Sequence, residues 1–173
     1  MTATTAAPAG TGGTDLASLH RQHYRSLVRL ASLLVDDVGT CEELVQDAFV
    51  AVLSRSAAVR QPASAPAYLR SAVLNGARSH LRRRAVRRRP GPAEEAEDLR
   101  SPESSALVAD DHAAVLAALR SLPERQREVL ALRYYLELSE AEIAETLGIA
   151  PGTVKTHAQR ALAALHVSLE DRR

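Results

Sequence analysis

Between residues 138 and 162 the chain reads LSEAEIAETLGIAPGTVKTHAQRAL, and its punctuation admits essentially one local fold. Ser139 followed by Glu142 fits the S-x-x-E capping box, in which two orphan N–H groups at a helix start are satisfied reciprocally. Gly148 follows the last apolar position, Leu147, where a left-handed residue ends a helix without steric cost. Pro151 then opens a second helix, because the N–H it lacks would be unpaired there in any case. A helix, a three-residue turn and a second helix make a helix-turn-helix, whose second helix usually enters the major groove of DNA.

At about 100° per residue the second helix divides into two arcs. Val154, Ala158, Ala161 and Leu165 share the arc expected to face a core. Thr153, Lys155, Thr156, His157, Gln159 and Arg160 cover the other, and nearly all are donors suited to base edges or phosphates. Lys155 is the only lysine in a chain that otherwise uses Arg for its cations.

The rest of the chain is expected to be all-α. Aromatic residues make up 3% and Trp is absent, while 46% of residues are apolar, so cores must be packed from Leu, Val and Ala. No stretch alternates in the manner of a strand. The single cysteine, Cys41, rules out an internal disulfide and fits a reducing compartment. No run approaches the ~18–20 apolar residues of a membrane span, and residues 1–14 lack the basic start and apolar centre of a signal peptide. They are expected to form a disordered tail, with the protein in the cytoplasm.

A net charge of +1 conceals strong segregation. From residue 67 to 90 there is no acidic residue, while Arg70, Arg78, Arg82, Arg83, Arg84, Arg87, Arg88 and Arg89 are all present. Glu94, Glu95, Glu97, Asp98, Glu103, Asp110 and Asp111 follow, opposed only by Arg100. Such an order marks a polyanion-binding patch followed by an acidic linker.

Periodicity divides the chain into two small helical domains, 15–84 and 111–169, joined by a basic-then-acidic flexible linker at 85–110. In the first, helices are expected over about 15–35, 40–54 and 66–84, the second opened by a T-x-x-E capping box at Thr40 and Glu43. Residues 57–66 carry two prolines and no periodicity, and read as a loop. In the second, helices are expected around 111–121, 123–136, 139–147 and 151–169.

The third helix carries Leu69, Val73, Leu74, Ala77 and Leu81 on one arc and Tyr68, Ser71, Asn75, Arg78, Ser79 and Arg82 on the opposite one. An aromatic, an amide and arginines in one stripe suit single-stranded DNA, through stacking, base hydrogen bonds and phosphate neutralisation.

Catalytic readings find little support. His20 and His23 with Cys41 suggest a metal site, but no fourth ligand stands at a suitable spacing. No Gly-rich phosphate loop, nucleophile elbow or H-E-x-x-H pattern occurs. No enzyme activity, metal or cofactor is expected.

Three motifs together resemble a bacterial RNA polymerase sigma factor of the extracytoplasmic-function group, a compact class with a region-2 and a region-4 domain. Glu42-Glu43-Leu44-Val45-Gln46-Asp47-Ala48-Phe49 is similar to the acidic segment that binds the β′ coiled coil of core polymerase. Tyr68-Leu69-Arg70, Asn75 and His80-Leu81-Arg82-Arg83 resemble the region-2 helix that reads the −10 element. Leu122-Pro123, Arg127, Val129-Leu130 and Leu132-Arg133-Tyr134 resemble the opening of region 4. Tyr68 stands where the family usually has Trp, Ser79 where Asp is common and Cys41 where Ala is usual. Thr156-His157 replaces a more frequent Ser-Arg, which bears on the promoter sequence read.

The resemblance implies Glu43, Leu44, Gln46, Asp47 and Phe49 as the core-polymerase contact. It implies Tyr68, Asn75, Arg78, Ser79, Arg82 and Arg83 as the −10 reader, and Thr153, Lys155, Thr156, His157, Gln159 and Arg160 as the −35 reader. The implied partners are core RNA polymerase through its β and β′ subunits, promoter DNA and an anti-sigma factor, with no membrane. It also implies that the acidic linker runs near the RNA exit path, and no fused extension is expected after Arg173. The segment Thr153–His157 is similar as well to the LuxR-type helix-turn-helix of response regulators. That alternative requires an N-terminal receiver of alternating strands and helices, a pattern absent from residues 1–110.

Overall fold

Apolar residues at helical spacing form helices wherever the chain is described. The computed structural model describes residues 16–54, 64–87 and 106–170, with side chains from residue 113 onward in the last segment. The expected tail at 1–14, most of the loop at 57–66 and linker residues 88–105 lie outside these. Helix α1 spans Leu16–Leu34, α2 Val38–Ser54 and α3 Ala65–Arg87. Helix α4 spans Ala106–Ser121, α5 Glu124–Leu130, α6 Glu140–Leu147 and α7 Pro151–Glu170.

Helix α2 starts two residues before its expected position, and the cap differs. Asp37, not Thr40, closes the helix start: its Oδ2 accepts from the Thr40 N–H at 2.6 Å, and its carbonyl accepts from the Cys41 N–H at 3.0 Å. These hydrogen bonds from Thr40 favour the ionised form and hold the Asp37 carboxyl below its ordinary value. Asp37→Ala is expected to cost about 1 kcal/mol at neutral pH. A carboxylate with a depressed folded pKa stabilises above its unfolded value and loses that contribution as pH falls through the folded one. The difference from wild type in urea denaturation should therefore shrink in acid.

Helix α3 outruns its expected end by three residues, and α4 begins at Ala106 rather than 111, so the expected linker is helical at both ends. Within α3, Gly76 permits close approach to α2: a Cβ there would lie 2.7 Å from Leu44 Cδ2. Helix α5 continues as a widened turn over Ala131–Tyr135, where the Leu136 N–H reaches the Ala131 carbonyl at 3.3 Å. The chain leaves it through Glu137 in a left-handed conformation, φ 54°, with the Leu138 N–H on the Leu132 carbonyl at 3.1 Å. A non-glycine residue in that conformation gives no sequence warning of a helix end, which is why the 123–136 segment read as one uniform helix.

The fold is all-α with two helical units, as expected, but they are not held apart. One apolar cluster runs from Leu19 and Leu30 of α1 through Val45 of α2 and Leu69 of α3 to Leu132, Ile143 and Val154 of the C-terminal unit. Along this seam α1 packs on α4 and α5, and α3 packs on α6.

Candidate nucleic-acid and partner interfaces

The helix-turn-helix forms as its punctuation dictates. Ser139 Oγ accepts from the Glu142 N–H at 3.3 Å, and the Ser139 N–H donates to Glu142 Oε2 at 2.9 Å. Hydrogen bonds from Ser139 hold the Glu142 carboxyl below its ordinary value. Gly148 takes φ 65°, and the Ile149 N–H closes the helix end on the Ala144 carbonyl at 3.0 Å. Ile143, Ala144 and Leu147 of α6 bury against Val154 and Ala158 of α7, which fixes the angle at which α7 is presented. Thr153, Lys155, Thr156, Gln159 and Arg160 are exposed. His157 is half-buried, and its Nδ1 has no hydrogen-bond partner among the described residues. The Thr156 hydroxyl donates back to the Gly152 carbonyl at 3.0 Å, which leaves its oxygen to accept.

The opposite arc of α3 differs from expectation because the C-terminal unit covers part of it. Asn75, Arg82 and Arg83 are exposed, whereas Tyr68, Ser71 and Ser79 are half-buried. Tyr68 packs against the apolar core. The Ser71 hydroxyl donates to the Thr146 carbonyl of α6 at 3.4 Å. Arg78 is most changed: its side chain is 13% exposed and faces Glu128 of α5, whose side chain is 2% exposed. The pairing is two-pronged, Nε on Oε1 and Nη2 on Oε2 at 2.9 Å. Nη1 donates to Asn75 Oδ1 at 2.9 Å, and Glu124 stands 3.3 Å from Nε. Arg125 adds a second cation to Glu128 at 3.2 Å. A buried carboxylate is tolerable only with such pairing.

On α2, Glu43, Gln46 and Asp47 are exposed. Leu44 and Phe49, expected beside them, are buried at 8% and 5% exposure and belong to the core. Phe49 lies against the His20 ring at 4.9 Å between centroids, and His20 stacks on Tyr24 at 4.6 Å. Two residues that the sequence reading missed complete the exposed arc: Val50 is 58% and Leu53 55% exposed. The available signal was phase, since at ~100° per residue Val50 falls opposite Val45, Ala48 and Val52, and Leu53 falls beside Gln46.

The imagined His–Cys metal site is not assembled. Cys41 is fully buried, and burial, with Asp37 nearby, pushes its thiol up to about 11, against the thiolate that a metal needs. Burial, then Arg70, lowers the His23 pKa. Among the described residues, no group of three or more His, Cys, Asp or Glu side chains is placed to hold a metal. None of the described helices is long and apolar enough to cross a membrane.

A recognition helix on a capped helix-turn-helix, set beside a basic helix and an acidic-apolar helix face, defines a DNA-reading protein of the all-helical class. Residues 19–88 match Sigma-70 region 2, and residues 112–165 match Sigma-70, region 4. The chain is 34% identical over 152 residues to an RNA polymerase sigma-E factor of Streptomyces avermitilis, covering 88% of this chain and 83% of that one. It is 31% identical over 147 residues to the ECF RNA polymerase sigma factor SigM of Mycobacterium tuberculosis, covering 85% and 73%. The sigma factor RpoE of Bartonella quintana, solved in complex with the anti-sigma factor NepR, shares the fold: TM-score 0.74 at 24% identity, over 92% of this chain and 99% of that one. The chain belongs to the extracytoplasmic-function group of the sigma-70 family. Members of this family direct RNA polymerase to promoters in transcription initiation, and they act by binding. Region 2 occupies the segment that a receiver would have to fill, so the LuxR-type reading is not favoured.

Proposed function

We propose that this chain acts in the cytoplasm as a promoter-specificity subunit, docking on core polymerase through α2 and reading DNA with α3 and α7. The observation that carries the proposal is the exposed donor row Thr153, Lys155, Gln159 and Arg160 on a helix fixed by buried Val154 and Ala158. That row fits the major groove of a −35 element. Asn75, Arg82 and Arg83 of α3 are the groups ready for the −10 element, with Tyr68 and Arg78 joining once uncovered. Melting removes base stacking of about 1.4 kcal/mol per step, which captured bases must recover through stacking and polar contacts. Arg78 and Ser71 are engaged by α5 and α6 here, so the DNA-bound form requires the C-terminal unit to leave α3. An anti-sigma factor is a further partner, and one that clasps both units would favour the packed form.

Glu43, Gln46, Asp47, Val50 and Leu53 form the docking face in this reading, an apolar centre edged by acid. Replacing Gln46 and Asp47 by Ala should leave the thermal melt unchanged, since both are exposed and Ala favours helix. Capture of core polymerase should fall several-fold, about 1 kcal/mol or more. Equal capture by variant and wild type would remove that face from the account.

A further inference from the structure

Where the two units meet, a cavity of about 460 Å³ opens between the ends of α1, α3 and α4 and the start of α5. Its lining includes Leu34 and Leu81, one acid, Asp36, and three guanidinium groups, Arg84, Arg120 and Arg127. Among the lining residues three cations face one carboxylate, and Glu124 and Glu128, which act on Arg127 from its own helix, offset part of the excess. Asp36 is already committed to Arg84. That hydrogen bond and charge outweigh burial and hold its carboxyl below the ordinary value. Arg127 is 7% exposed and spends Nη1 on the Arg120 carbonyl at 3.0 Å. Arg120 spends Nη2 on the Ser32 carbonyl at 3.2 Å. The Nε–H of each finds no acceptor among the described residues. Helix-end carbonyls offset part of this charge, but a helix end supplies only about half an elementary charge.

We propose that this cavity is a binding site for a small phosphoryl oxyanion, inorganic phosphate or pyrophosphate being its simplest forms. Guanidinium forks match the oxygen geometry of phosphate, and the volume lies within the range of small-molecule pockets. Arg84 and Asp36 come from the N-terminal unit, Arg120 and Arg127 from the C-terminal one. An anion held between them therefore binds the packed arrangement in preference to a separated one, and stabilises it by linkage. On the sigma-factor reading, such a ligand would oppose engagement of core polymerase, but the binding itself does not depend on that reading.

The test uses the full chain without polymerase or DNA. Pyrophosphate and phosphate are titrated at constant ionic strength against chloride, with Tm and calorimetric affinity as readouts. Both are expected to raise Tm saturably, pyrophosphate at lower concentration. Arg84→Gln, at a side chain about one-third exposed, should fold and bind about tenfold or more weakly. Asp36→Asn removes the carboxylate that lines the cavity and frees Arg84, so it should bind several-fold more tightly, an increase that a merely structural pair would not give. Arg82→Gln with Arg83→Gln, on the exposed basic end of α3, should retain the response. A Tm rise shared equally with chloride, an undiminished response in Arg84→Gln, or a response lost only with Arg82 and Arg83, would overturn the proposal.

Discussion

Replacing Glu128 with alanine is expected to lower the unfolding free energy by about 3–5 kcal/mol, the usual loss when one partner of a buried ion pair is removed. Glu128 is 1% exposed and accepts from Arg78 of α3 and Arg125 of α5. Without it, Arg78 keeps, among the described residues, Asn75 and the more distant Glu124. Glu128→Gln preserves the shape and one acceptor, so its loss should be smaller. Because Arg78 and Glu128 lie in different units, the pair also links stability to the seam. A double-mutant cycle with Arg78→Ala in urea denaturation should show coupling of more than about 1 kcal/mol, within the range for residues in one network. The same loosening should let the free protein bind promoter DNA more readily. Additive losses without coupling would mean that the pair does not hold the units together.

The second large effect separates specificity from affinity. Arg160 is exposed on α7, where losing a bidentate base contact costs about 1–3 kcal/mol at one position of the site. Arg82 and Arg83 are exposed at the basic end of α3, and the proposed role for both is phosphate contact. Arg160→Ala should change base preference at one or two adjacent pairs of a randomised −35 library. Arg82→Ala should weaken open-complex formation on all promoters alike and lower its salt dependence by roughly one ion. A flat loss for Arg160→Ala would move that residue to the phosphate-contacting group.

Much of the fold was legible because its signals are local. The Ser139–Glu142 box, Gly148 and Pro151 each constrain one or two residues, and each appears where its chemistry requires. The Asp37 cap was missed because Thr40 and Glu43 offered an equally valid pattern three residues on, and only the traced hydrogen bond to Thr40 decides between them. On α7 the division into core and donor arcs survives apart from His157, since one face of that helix packs on α4, α5 and α6. On α3 it survives less well. Arg78 and Ser71 lie on the arc that periodicity assigns to solvent, yet a second unit covers them. No one-helix pattern encodes a partner that returns from fifty residues or more downstream. Leu44 and Phe49 are buried for a different reason: adjacency in a motif groups them with the exposed residues, whereas a helix sorts neighbours by phase.

Promoter-directed transcription separates a sigma factor most sharply from a free-standing DNA-binding protein. Core RNA polymerase would be combined with the purified chain on a library of genomic fragments, and the start sites of the run-off transcripts sequenced. Starts are expected that require the chain, that share one −35 and one −10 element, and that lose the −35 preference with Arg160→Ala. Starts unchanged by adding the chain, or tight sequence-specific DNA binding by the chain alone that core polymerase does not alter, would contradict the proposed function.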